Sequence, residues 1–199
     1  NGCAIVSAID MGETKGLWWY AMELVEGESL AQRLKTKGRL SEREALRIFI
    51  PLCEALQHAH EHGVVHRDIK PANVLLDHEN RPHLVDLGLA FAEDDPAITR
   101  HGGTLGTPHY ISPEQARNPQ GADIRSDIWS LGATLYHCLC GRPPFEGESV
   151  AEILSGVLYA RVEDPLELAP SLSKGTALVL RKCLSRLPER RYQAPREML

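Results

Sequence analysis

The chain has 199 residues, 43% of them hydrophobic and 25% charged, with a formal net charge of −5 at pH 7. That is an ordinary globular composition with enough length for one sizeable core, and its acidic balance offers no basic surface for nucleic acid. No apolar run within it reaches the length of a membrane span, and five cysteines without framework spacing point to a reduced, cytoplasmic setting.

Leu17 to Val25 (LWWYAMELV) is apolar, aromatic and β-branched and predicts a buried strand. Ser41 with Glu44 reads as a capping box. It opens a helix whose apolar positions Ala45, Ile48, Leu52, Ala55, Leu56 and Ala59 keep a 3.6-residue period up to Gly63. Pro51 lies inside that period and predicts a kink or a break. His58, His60 and His62 crowd the end of this helix. With no third ligand beside the one-turn pair His58 and His62, they read as a cluster favoured by the negative helix terminus.

Two short strand-like runs come next, Asn73–Leu76 and His83–Val85, around the polar turn DHENR. Residues 91–107 carry charges, glycines and threonines without a period and read as a long loop of the functional kind. Ser126 is expected to cap a helix with Ile128, Leu131, Leu135 and Leu139 on one face, stopped by Gly141 and Pro143. Cys138 and Cys140 within it read as small buried residues. Further helices are expected from about Ser149 and from about Ser173, the latter carrying Leu180, Cys183 and Leu184. The sum is an α+β arrangement, a small strand portion followed by a mainly helical body.

The chemistry concentrates in His66-Arg67-Asp68-Ile69-Lys70-Pro71-Ala72-Asn73, followed by Asp86-Leu87-Gly88. Moving a phosphoryl group calls for a divalent metal on hard oxygen ligands, which an Asn and an Asp on neighbouring strand ends can supply. It also calls for a carboxylate near the incoming hydroxyl and a cation near the moving group, and Asp68 and Lys70 on one loop fit those roles. Each residue alone would pass for a solvated loop charge. Their joint spacing does not.

These motifs resemble the protein kinase family. HRDIKPAN resembles its catalytic loop, in the serine/threonine form with Lys70. DLG resembles the metal-binding D-F-G, with Leu87 for Phe. GTPHYISPE (106–114) resembles the substrate-side loop ending in A-P-E, with Ser112 for Ala, and SDIWSLG (126–132) the central buried helix. ERRY near the end resembles the segment whose arginine, here Arg191, pairs with the A-P-E glutamate, here Glu114. The wording GTPHYISPEQA is similar to bacterial Hanks-type kinases.

The resemblance implies a kinase-like α+β fold, with residues 1–25 as the last small-lobe strands and hinge and 26–199 as the large helical lobe. It implies a serine/threonine kinase using ATP and Mg²⁺ on protein substrates; a pseudokinase serving as a binding scaffold is the alternative. Asp68 would accept the hydroxyl proton, Lys70 would sit on the γ-phosphate, and Asn73 and Asp86 would hold Mg²⁺. Thr107 would bridge Asp68 and Lys70. Met22 would be the gatekeeper, Glu23 to Val25 the hinge that meets adenine, and Leu75 the floor beneath it. His66, Arg67, Asp127, Glu114 and Arg191 would be structural supports, and Thr99 or Thr104 an activating phosphorylation site received by Arg67. Ala72 gives no support to a basic substrate consensus. No glycine loop and no partner lysine for the phosphates occur within these residues. The chain is therefore expected to be a piece of a longer protein and to be inactive, or nearly so, by itself.

Overall fold

A computed structural model describes residues 4–6, 8–85 and 108–199. β1 (Ala8–Thr14) and β2 (Leu17–Met22) form an antiparallel hairpin. Lys15 and Gly16 close it with φ of 56° and 76°. Positive φ at both central residues gives a two-residue turn whose twist matches that of the strands. β2 stops at Met22 and not at Val25 as expected, because its last pairing partner is Ala8, where β1 begins. β1 itself was not expected: its side chains are almost all exposed, so no alternation of apolar and polar residues marks it.

A second sheet has the order β3 (Gly27–Ser29), β4 (Val74–Asp77), β5 (Pro82–Leu84), all antiparallel. Residues 4–6 extend it, bridging Ile5 to Leu84 in parallel. β3 needs its glycine: a Cβ on Gly27 would lie 1.9 Å from the Leu76 carbonyl oxygen. Sequence alternation does not reveal a three-residue strand of this kind.

α1 (Leu30–Lys37), also unforeseen, starts at a reciprocal capping box between Ser29 and Gln32 and buries Leu30 and Leu34. α2 (Glu42–Glu61) is capped by Ser41, which accepts from the Glu44 N–H. The expected box is only half made, since the Glu44 carboxylate turns instead to Lys37 at 2.8 Å and Arg33 at 3.4 Å. α2 also runs through Pro51 without a break. A helix-interior proline costs about 3 kcal/mol, whereas each large apolar side chain buried is worth ~1.5–3 kcal/mol. Ile48, Phe49, Leu52 and Leu56 flank Pro51 and are all in the core. At the end of α2 the His58 and His62 rings stand 4.4 Å apart, with His62 Nδ1 bonded to the His58 carbonyl.

α3 (Pro113–Arg117) is short, and α4 (Ile124–Cys140) is the central helix, with 14 of its 17 residues buried. A helix buried all round is an interior helix, and α2 and the later helices Pro165–Leu168 and Lys174–Cys183 pack on it. Its N-cap is Asp123, which accepts from the Arg125 N–H, and not Ser126. Ser126 lies inside the first turn with its hydroxyl given to Glu114. α5 (Val150–Tyr159), α6 (Pro165–Leu168) and α7 (Lys174–Cys183) complete the body, with α5 and α7 capped by Ser149 and Ser173. α7 comes so close that a Cβ on Gly132 of α4 would lie 2.5 Å from Cys183 Cβ. Cys53, Cys138 and Cys183 are buried free thiols, and burial pushes the Cys53 thiol up to about 12 and Cys140 up to about 11. Such thiols are packing groups and not nucleophiles. No helix among the described residues is long and apolar enough to cross a membrane.

Candidate active site

The 66–73 segment links α2 to β4, so its two ends are fixed by the core. Its middle is fixed by one buried carboxylate. Asp127, in the first turn of α4, accepts from the His66 N–H at 2.7 Å and the Arg67 N–H at 2.8 Å. Burial pushes the Asp127 carboxyl up to about 7, while those two N–H groups pull in the opposite direction. Arg67 holds φ at 68°, a left-handed conformation that a side chain tolerates only when its surroundings impose it. The imposition is visible: the Arg67 N–H is given to Asp127 and its carbonyl accepts from Gln115 Nε2 at 2.9 Å.

The buried His66 ring orients the start of the loop. Its Nε2 donates to the Val85 carbonyl at 2.9 Å, so its Nδ1 is the acceptor for the Asp68 N–H at 3.3 Å. Val85 N–H in turn donates to the Asn73 carbonyl at 3.0 Å. The strand that leads to Asp86 is thus tied to both ends of the loop.

On this frame Asp68, Lys70 and Asn73 converge. Lys70 Nζ lies 3.0 and 2.7 Å from the two Asp68 carboxylate oxygens. Asn73 Nδ2 donates to the Asp68 carbonyl at 2.8 Å and to its Oδ2 at 2.9 Å. The Asp68 side chain keeps 43% of its surface open and Lys70 keeps 27%, so both can meet a ligand. With its nitrogen committed, the Asn73 amide leaves its oxygen without a partner among the described residues, which is the donor a hard divalent cation takes. Asp86, Leu87, Thr99, Thr104 and Thr107 lie outside the described residues.

The substrate-side segment has its own anchors. Arg191, with its guanidinium fully buried, contacts Glu114 through two bonds of 2.6 and 2.8 Å and also donates to the carbonyls of Ser185 and Arg125. Ser126 Oγ adds a bond of 2.7 Å to Glu114. Burial works to raise the Glu114 carboxyl, but Arg191 and Ser126 outweigh it and hold it below its ordinary value. The Tyr110 hydroxyl and His137 Nδ1 share a hydrogen bond of 2.7 Å, and burial lowers the pKa of that imidazole. Ser130 Oγ donates to the Tyr110 carbonyl and His109 Nδ1 to the Phe145 carbonyl, each at 2.8 Å.

Sequence reasoning missed Gln115, Ser130 and His137. Only Gln115 left a signal there, the S-x-x-Q spacing of Ser112 and Gln115, which forms a real capping box. On the other side of the site, Met22 ends β2, residues 23–26 belong to no regular element, and Leu75 in β4 is half-buried opposite Ser29. Among the described residues the main-chain N–H and C=O groups of Glu23, Leu24 and Val25 make no hydrogen bond.

The family model for the protein kinase domain matches residues 1–198. The chain is 38% identical to the serine/threonine-protein kinase PrkC of Bacillus subtilis over 194 residues, 98% of this chain and 30% of that protein. It is 38% identical to the serine/threonine-protein kinase PknB of Mycolicibacterium smegmatis over 212 aligned residues, 100% of this chain and 32% of the relative. The PknB of Mycobacterium tuberculosis is 37% identical, with the same two shares. The chain thus spans about a third of the length of these curated relatives.

Proposed function

Because the chain belongs to the protein kinase family, we propose that the protein carrying it transfers the γ-phosphoryl of ATP to serine or threonine hydroxyls of protein substrates. The observation that carries this reading is the convergence of Asp68, Lys70 and Asn73 within 3.0 Å on a loop clamped by Asp127. A substrate hydroxyl at Asp68 donates its proton to the carboxylate. Its oxygen forms the new bond to the γ-phosphorus as the bond to the bridging oxygen of ADP breaks, and the proton stays on Asp68. The Lys70 ammonium supplies positive charge to the transferring oxygens, and its contact with Asp68 keeps donor and acceptor aligned.

Asn73, through its amide oxygen, and Asp86 are the residues that would hold Mg²⁺, which neutralises crowded phosphate oxygens when bound. Met22, the main chain of Glu23 to Val25, and Leu75 form the adenine side in this reading. Thr107 bridges Asp68 and Lys70, and a phosphate on Thr99 or Thr104 is received by Arg67. The Glu114–Arg191 pair holds the 108–114 segment where the substrate lies. The setting is cytoplasmic, consistent with the free thiols. The test is Asp68→Asn in the full-length protein: phosphate transfer to a protein substrate falls by about 10²–10⁴-fold while nucleotide affinity stays within about 3-fold. Retention of most of the turnover overturns the role given to Asp68. A wild-type protein with no transfer to any protein substrate points instead to the scaffold alternative.

A further inference from the structure

A cavity of about 330 Å³ opens between α4, the end of α5, α6 and α7, and none of its walls comes from the 66–75 segment. Its volume sits at the small end of the range of about 300–1,000 Å³ for small-molecule sites. The inner walls are the buried aromatic residues Trp129, Tyr136 and Phe145. The Trp129 and Phe145 rings are stacked, their planes parallel to within 5° and their centroids 6.2 Å apart. The indole N–H of Trp129 is buried and has no acceptor among the described residues. A buried Trp N–H normally finds a partner, and an orphan one costs about 1–3 kcal/mol.

The rim is charged, and its charges do not cancel. Asp164 is taken by Arg181 through contacts of 2.8 and 2.7 Å, and Glu163 by Arg142. Arg186 donates to the Ala160 carbonyl but has no carboxylate partner among the described residues. Arg161 makes neither a hydrogen bond nor an ion pair there and feels Asp164 only at a distance. Two guanidiniums therefore face a small aromatic chamber without a counter-ion. Arginine pairs best with the planar, two-oxygen geometry of a carboxylate.

We propose that this cavity binds a small aromatic carboxylate, its ring against Trp129 and Phe145 and its oxygens supplying the carboxylate partner that Arg161 and Arg186 lack. The walls are shared with the substrate-side segment. The Phe145 carbonyl accepts from His109, and the Trp129 ring carries the guanidinium of Arg191 at 4.9 Å. An occupant therefore touches the two residues that contact the anchors of residues 108–114, and no residue of the 66–75 segment.

The experiment is a titration of the full-length protein with 2-naphthylacetate, read by calorimetry and by the indole N–H resonances of ¹⁵N-tryptophan-labelled protein. The neutral 2-naphthylacetamide is the control. The expected result is saturable binding at one site with a dissociation constant of about 10 μM to 1 mM, at least about 5-fold tighter than the amide, with one indole resonance shifting. Arg161→Ala, an exposed position that leaves the fold alone, should weaken the acid by about 5-fold or more and leave the amide unchanged. A saturating non-hydrolysable ATP analogue should leave the affinity as it was. No saturable binding below about 5 mM, equal affinity for acid and amide, indifference to Arg161→Ala with Arg186→Ala, or competition by nucleotide each overturns the proposal. None of these readouts depends on phosphate transfer.

Discussion

Two carboxylate–cation pairs hold the working face of this molecule, and they are built to opposite ends. Glu114 and Arg191 meet over a sequence separation of 77 residues, with the guanidinium fully buried and each of its nitrogens also bonded to a main-chain carbonyl. Asp68 and Lys70 meet across two residues, with both side chains partly open to solvent. In the first pair every guanidinium N–H is committed, so the arginine can only hold. The second leaves surface on both partners, and in the proposed reaction a hydroxyl and a phosphoryl group come between them. The same chemistry is a fastener in the buried pair and, in the proposed function, a reactive site in the open one.

This contrast can be broken from either side. Arg191→Ala leaves Glu114 half-buried without its cation and takes away the guanidinium stacked on Trp129. It should cost about 3–5 kcal/mol of stability in urea unfolding. Lys70→Ala should cost less than about 1 kcal/mol in the same measurement, because a partly exposed pair contributes little, yet lower turnover by about 10²-fold or more. Equal stability losses for the two variants would erase the distinction.

A smaller effect lies in the pH dependence. Glu114 is held below its ordinary value of 4.5 in the fold, so its ionised form adds stability above about pH 4.5 that is lost as pH falls through the lower folded value. Thermal unfolding followed from about pH 6 to about pH 3 should therefore show a shallower acid loss for Glu114→Gln than for the wild type. Parallel curves would mean that Glu114 ionises alike in folded and unfolded chains. The smallest effect is Ser126→Ala. It removes one of the bonds to Glu114 but leaves both from Arg191, and should cost about 1 kcal/mol with turnover little changed. A loss as large as that of Arg191→Ala would show that the hydroxyl, and not the guanidinium, governs the anchor.

The long helices were legible because their signals are local. Ser149, Ser173 and Gly141 stand where the structure puts caps, and the 3.6-residue period of α2 and α4 survives intact. The departures come from local rules that lost to packing. Pro51 by itself disturbs a helix, but burial on both sides of it prevails in α2. Ser126 has the chemistry of a cap, but its hydroxyl has a better partner in Glu114 and the cap passes to Asp123. β1, β3 and α1 are short or exposed, and neither feature leaves a periodic trace.

The sequence by itself determined the chemistry: which residues the 66–73 segment carries, in what order, and the family they resemble. Reactive groups a few residues apart on one loop are close in any fold, so spacing alone nearly places Asp68, Lys70 and Asn73. Only the tertiary structure decided which distant groups restrain them: Asp127 under His66 and Arg67, Gln115 on the Arg67 carbonyl, Val85 on the His66 ring, Arg191 beneath Glu114. Those partners lie between 19 and 77 residues apart along the chain. No local period encodes such a pairing, because what selects it is the requirement that every buried donor and charge find a partner once the core has closed.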